Sequence, residues 1–168
     1  MAKFEIYYKN RIDTDYVKIA ELPPTDTIYK HFPTSTLAAC YVVTATDSAG
    51  NTAECFENEN CIDVCTYYKL PNVFTPNGDG VNDVYHPYPY RFVEKVDMKI
   101  YNRWGNLVYK TDDPDINWDG TDMHTGKPVD EGVYYYICDV YERRLTGLKP
   151  RNISGFIHLY RKGKPSNE

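Results

Sequence analysis

Between Asn77 and Asp83 the sequence NGDGVND sets four oxygen-bearing side chains, Asn77, Asp79, Asn82 and Asp83, around Gly78 and Gly80. Glycine admits positive φ, so such a stretch can curl tightly around its own side-chain oxygens. Two chemistries are open to it. Calcium takes about six to eight oxygens at about 2.3–2.6 Å, and N-x-D-G-x-N-D overlaps the first half of the D-x-[DN]-x-[DN]-G calcium loop, although the closing bidentate Glu is missing. Alternatively, the Asn and Asp oxygens accept backbone N–H groups in Asx-turns and hold no ion. Asp119, in Asn117-Trp118-Asp119-Gly120, either shares a calcium with that loop or caps a turn whose Trp lies in the core.

The elements that must carry this loop are strands. Leu70, Val73 and Phe74 form an apolar run broken by Pro71 and Pro76. Proline cannot donate to a central ladder, which predicts an edge or opening strand that stops at Thr75. Seventeen tyrosines with many Val, Ile and Thr favour strands, and eleven prolines and ten glycines punctuate them at short intervals. No stretch sustains a 3.6-residue apolar period, so the chain reads as all-β.

In the first part the expected strands are Phe4–Tyr8, Tyr16–Ala20, Thr27–His31, Cys40–Thr46 and Thr52–Phe56, the last two forming a hairpin across residues 47–51. After a boundary near Cys61–Thr66 come Tyr67–Phe74, Val84–His86, Val93–Tyr101, Asn106–Lys110, Ile116–Trp118, Gly132–Tyr141 and Ile153–Arg161, about the number a sandwich needs. Period-2 alternation puts Val96, Met98 and Ile100 on a core face. In Val133–Tyr141, the polar Asp139 points the Tyr134, Tyr136, Cys138 and Val140 face inward.

Charge and hydropathy exclude some functions. A net charge of −5 with no basic stripe argues against nucleic acid as a partner. The longest apolar run is far short of the roughly 20 residues of a membrane helix. His31, His86, His124 and His158 are scattered, and neither H-E-x-x-H nor G-x-S-x-G occurs, so no catalytic set is expected and the chain reads as a non-enzyme.

The five cysteines, at 40, 55, 61, 65 and 138, do not fit a zinc layout. A symmetric hairpin at 47–51 would set Cys40 opposite about residue 58, with Cys61 in reach of the strand end. That favours Cys40–Cys61, then Cys65–Cys138, with Cys55 left over; the alternative is that all five are reduced thiols.

Five segments, LPNVFTPNGDGVND from Leu70, IYNRWGNLVYKT from Ile100, NWDG from Asn117, EGVYYYICDV from Glu131 and ISGFIHLYR from Ile153, stand in an order that resembles the gliding motility-associated C-terminal domain of Bacteroidetes, the type B sorting domain of type IX secretion cargo. The resemblance runs from about Cys65 to Lys162. It implies an immunoglobulin-like β-sandwich of about seven strands over residues 66–168, at the C-terminus of a large secreted or surface protein. Residues 1–65, with ACYVVTATDSAGN, resemble the last part of a fibronectin type III-like domain whose first two strands are missing. The chain therefore reads as a piece of a longer protein with Met1-Ala2 as an added start, and its lack of a signal peptide says nothing of the parent's export.

The resemblance implies a folded signal read by outer-membrane proteins of the type IX translocon, taking cargo through the periplasm and outer membrane to the surface or medium. The piece itself is expected to be a monomer. Candidate partner-binding residues are Arg103, Trp104 and Asn106 at a turn, and His158 and Arg161 in the last strand. An exposed Trp beside Arg is interface-like, and packing over the sandwich end is the other role open to Trp104. The competing function is a calcium-stabilised cell-surface adhesion module built on Asn77, Asp79, Asn82, Asp83 and Asp119.

Overall fold

The computed structural model describes residues 2–53, 59–63 and 67–161, and every regular element among them is a strand. Among the described residues no helix is long and apolar enough to cross a membrane. The chain divides into two compact units, Met1–Cys65 with Arg143–Lys149, and Thr66–Glu142 with Pro150–Glu168.

The first unit is built on β1 (Lys3–Lys9), β2 (Val17–Leu22), β3 (Ala39–Thr46), β4 (Thr52–Ala53) and β5 (Asn60–Ile62). The order is β2-β1-β3-β4, with β5 also on β3. The hairpin between β3 and β4 is closed by Asp47, whose Oδ1 accepts the N–H groups of Ala49 and Asn51 at 2.8 and 2.9 Å. Cys40 faces Cys61 across β3 and β5, and the two are disulfide-bonded. The register differs from the expected one: Thr46 pairs with Thr52 as a symmetric hairpin requires, yet Cys40 meets Cys61 rather than residue 58. The expected strand Thr27–His31 does not form; Pro23, Pro24 and Pro33 bracket it, and none of them can donate to a ladder.

The second unit carries β6 (Val73–Phe74), β7 (Val93–Tyr101), β8 (Leu107–Thr111) and all of β9 (Gly132–Arg144) and β10 (Gly147–Leu159) but their joining ends within Arg143–Lys149, in the order β6-β10-β9-β7-β8. β6 runs parallel to β10, and β7 runs antiparallel to β8 and β9. One sheet face is apolar. Val96, Met98 and Ile100 of β7, Val108 of β8, Tyr134, Cys138 and Val140 of β9, and Ile157 and Leu159 of β10 are all buried in a single core.

An irregular layer bearing Tyr68, Leu70, Tyr85, Ile116 and Trp118 closes that core, which gives the unit the two-layered build of an immunoglobulin-like sandwich. Two strands expected in this layer, Val84–His86 and Ile116–Trp118, reduce to one antiparallel bridge, Tyr85 to Trp118. The reason is local: Ile116 and Asn117 take positive φ, 63° and 56°, and Pro87 and Pro89 follow Tyr85. Trp118 is fully buried, packs on Phe74 and Tyr134, and donates its indole N–H to the Thr121 carbonyl at 2.9 Å.

Cys138 is a buried free thiol, which corrects the expected bridge to Cys65. It belongs to the same buried core as Val96, Met98 and Ile157, where burial pushes the thiol up to about 12. Cys65, Cys55 and Lys162 lie outside the described residues.

Candidate functional site

Strand direction brings distant motifs together. The C-terminal ends of β6, β7 and β10 and the starts of β8 and β9 share one end of the second sheet. The segments that follow or precede them are Thr75–Asp83, Asn102–Asn106, Asp119–Glu131 and Tyr160–Arg161.

In the first of these, the Asn and Asp oxygens accept backbone N–H groups in the manner of Asx-turns. Asp83 is the hub: Oδ1 accepts the N–H groups of Asn77 and Gly78 at 2.9 and 2.6 Å, and Oδ2 accepts that of Gly80 at 2.7 Å. Asn77 Oδ1 accepts the Asp79 N–H and Asp79 Oδ1 accepts the Val81 N–H, at 3.0 and 2.8 Å. Gly78, Gly80 and Asn82 supply the positive φ the curl requires. The N–H groups of Gly78 and Gly80 hold the Asp83 carboxyl below the usual carboxylate range. Asp119 caps its own turn, accepting the Thr121 N–H at 2.9 Å. Among the described residues Asp79, Asp83 and Asp119 do not converge as a carboxylate cluster.

Arg161 ties three of the segments together. Its guanidinium donates to the carbonyls of Pro76 (3.1 Å), Gly120 (2.8 Å) and Val129 (3.1 Å), while its backbone N–H donates to Glu131 Oε1 at 2.7 Å. A planar fork with five donors suits this; an ammonium could not span the three acceptors in one plane. Gly120 is the close approach that permits it. It sits at φ +79°, and a Cβ there would lie 3.0 Å from Arg161 Nη2 and 3.1 Å from Pro76 Cγ. Arg161, expected as a surface contact, is thus a clasp inside the end.

The turn between β7 and β8 stands free of the clasp. Asn102 Oδ1 accepts the N–H groups of Trp104 and Asn106, at 3.0 and 2.9 Å, which fixes a tight tip with Arg103 and Trp104 outward. Trp104 is 67% exposed, and the Arg103 guanidinium stacks on its ring at 4.2 Å. Packing over the sandwich end therefore falls to Trp118, and Trp104 projects into water. Between this tip and residues 122–135 runs a cleft of about 590 Å³ with Val108, Val129 and Tyr134 among its lining. On its far wall Asp122 Oδ1 accepts the N–H groups of His124 and Thr125, at 2.8 and 3.0 Å.

His158 lies elsewhere, on the outer face of β10, stacked on Tyr160 and edge-on to Phe156. Asn106 is exposed beside Trp104. The other histidines share no site: His31 pairs with Tyr41 in the first unit, His86 with the Pro87 carbonyl, and His124 occupies the exposed turn after Asp122. Sequence reading missed Lys127 and Glu131 at this end. Glu131 opens the EGVYYY segment, but only the fold sets it against Arg161.

Residues 68–159 match the family profile described as CHU_C Type IX secretion signal domain. No curated protein matches the chain.

Proposed function

The chain belongs to the CHU_C type IX secretion signal domain family through residues 68–159, and from that premise we propose that its second unit is read in the folded state, at the end clasped by Arg161. The family assigns a sorting role in type IX secretion and export toward the cell surface or medium. The finer reading is that outer-membrane components of the translocon recognise this surface by protein–protein contact, that the unit acts as an address and not as a catalyst, and that the first unit is the end of a fibronectin type III-like domain of the cargo.

One observation carries the reading: the sequence segments that mark the family, far apart in the chain, supply the loops of a single end of the sheet. A folded signal must present fixed geometry, and this end is fixed by hydrogen bonds that one guanidinium donates and one carboxylate accepts rather than by loop length. Replacing Arg161 by Ala in the full chain, fused behind a signal peptide and ahead of no further segment, tests it. Export of the fused reporter should fall while a first-unit change, Glu21→Gln, leaves it intact; equal export of both variants would refute recognition at the clasped end.

A further inference from the structure

We propose that Asn77-Gly78 is a latent deamidation site of this chain, and that the Asp83 carboxylate keeps it closed by holding the Gly78 nitrogen that would attack Asn77. This chemistry is independent of the sorting role.

Asn77-Gly78 is the one Asn-Gly pair in the sequence, and Asp79-Gly80 follows it directly. Both pairs are chemically labile. Glycine has no Cβ to hinder its own nitrogen, so that nitrogen can close on the carbonyl carbon of the preceding side chain. At residue 77 the Gly78 nitrogen would attack Asn77 Cγ: the N–Cγ bond forms, the N–H proton passes through water to Nδ2, the Cγ–Nδ2 bond breaks and ammonia leaves a succinimide. Water then opens the ring at either carbonyl, to give Asp or an isoaspartyl residue. Closure at Asp79 expels water instead, and reopening leaves an isomer of unchanged mass. Either product at residue 77 puts a new carboxylate beside Asp79 and Asp83, and the isoaspartyl form adds a methylene to the backbone within the turn.

Nothing steric stands in the way. Residues 78–82 are exposed, and a Cβ built on Gly78 or Gly80 would meet nothing within 4 Å. What engages the two nitrogens is one carboxylate. Asp83 Oδ1 accepts the Gly78 N–H at 2.6 Å, and Oδ2 accepts the Gly80 N–H at 2.7 Å. Attack requires a nitrogen stripped of its proton, and a carboxylate so close favours N–H over the nitrogen anion. The same bonds keep Asp83 ionised, its carboxyl lying below the usual range. A hydrogen bond to a charged group, given up before the nitrogen can attack, slows closure by about ten- to a hundredfold. The Asn77 amide is held separately, its Nδ2 donating to Asp79 Oδ2 at 2.9 Å. Substitution can therefore release the nucleophile and the amide one at a time.

The test is peptide mass spectrometry on the full chain aged at mildly alkaline pH, following deamidation and isoaspartate at residue 77. In native buffer the parent should deamidate at least about tenfold more slowly than the same chain in concentrated urea. Asp83→Ala, kept in native buffer, should lose most of that protection, and Asp83→Asn, which keeps one acceptor oxygen but no charge, should fall between the two. Asp79→Ala removes the carboxylate that holds the Asn77 amide and leaves both glycine nitrogens on Asp83, so its rate should stay near the parent's. A turn that protected merely by being stiff would speed up in either alanine variant. Near-ultraviolet circular dichroism of buried Trp118 verifies that each variant is folded, and if Asp83→Ala is not, Asp83→Asn takes its place. Equal rates for the native and urea-unfolded parent, a folded Asp83 variant as slow as the parent, or acceleration by Asp79→Ala as large as by the Asp83 variant, overturns the proposal.

Discussion

Gly120→Ala should be far more damaging than Gly105→Ala, although the two glycines share a backbone conformation, φ +79° and +80°. A side chain in the left-handed region costs about 1–2 kcal/mol at either site. At Gly105 nothing lies within 4 Å of the new Cβ, so that cost is the whole effect. At Gly120 the methyl would meet Arg161 Nη2 at 3.0 Å, Pro76 Cγ at 3.1 Å and Leu159 Cδ1 at 3.2 Å. Leu159 is in the core and the Pro76 ring is rigid, so relief must come from the guanidinium, which then loses its 2.8 Å bond to the Gly120 carbonyl. Overpacking of this kind adds about 1–3 kcal/mol. The expected losses are about 1–2 kcal/mol for Gly105→Ala and about 2–5 kcal/mol for Gly120→Ala. Urea unfolding of the full chain, followed by the near-ultraviolet circular dichroism of buried Trp118, measures both, with equal m-values required for comparison. Equal destabilisation by the two variants would show that the clasp does not constrain this end.

The pH response of the Asp83 turn follows from its depressed carboxyl: its stabilising contribution is present above the unfolded value, about 3.9, and is lost as pH falls through the lower folded value. Carboxyl NMR should place the Asp83 midpoint below that of an ordinary Asp, and Asp83→Asn should abolish this part of the acid-side loss; an unshifted midpoint refutes the turn. Because both Asp83 oxygens already accept N–H groups, millimolar calcium should leave the unfolding midpoint unmoved, whereas a rise of several degrees would mean that the loop opens into an ion cage. Cys138, raised to about 12, should resist iodoacetamide at pH 8 in the native chain and react once urea is added, as read by mass spectrometry of its peptide. Rapid native labelling would contradict its burial.

The core faces were legible because alternation encodes them directly: Asp97 and Lys99 between Val96, Met98 and Ile100, and Asp139 beside Cys138 and Val140, fix which side turns inward. The bonding of residues 77–83 was not, since calcium loops and Asx-turns draw on the same Asn, Asp and Gly. Which one forms depends on where the Asp83 carboxylate points. Strand β5 escaped notice because three residues, Asn-Cys-Ile, carry too little pattern to separate from a linker. The inward face of Cys138 was readable, but a partner is a matter of distance, and none of the local pattern supplies that. The clasp was hidden for the same reason. Arg161 meets Pro76, Gly120 and Val129 only through the strand order β6-β10-β9-β7, and nothing in the residues near Arg161 announces those carbonyls.

The most direct test of the sorting role is a paired export measurement. The full chain is placed behind a signal peptide and a fluorescent reporter, and reporter at the surface and in the medium is compared between a strain with an intact type IX system and one lacking its translocon. Reporter outside the cell in the first strain and held in the periplasm in the second is the expected result. Periplasmic retention in both strains, or equal release from both, would contradict it.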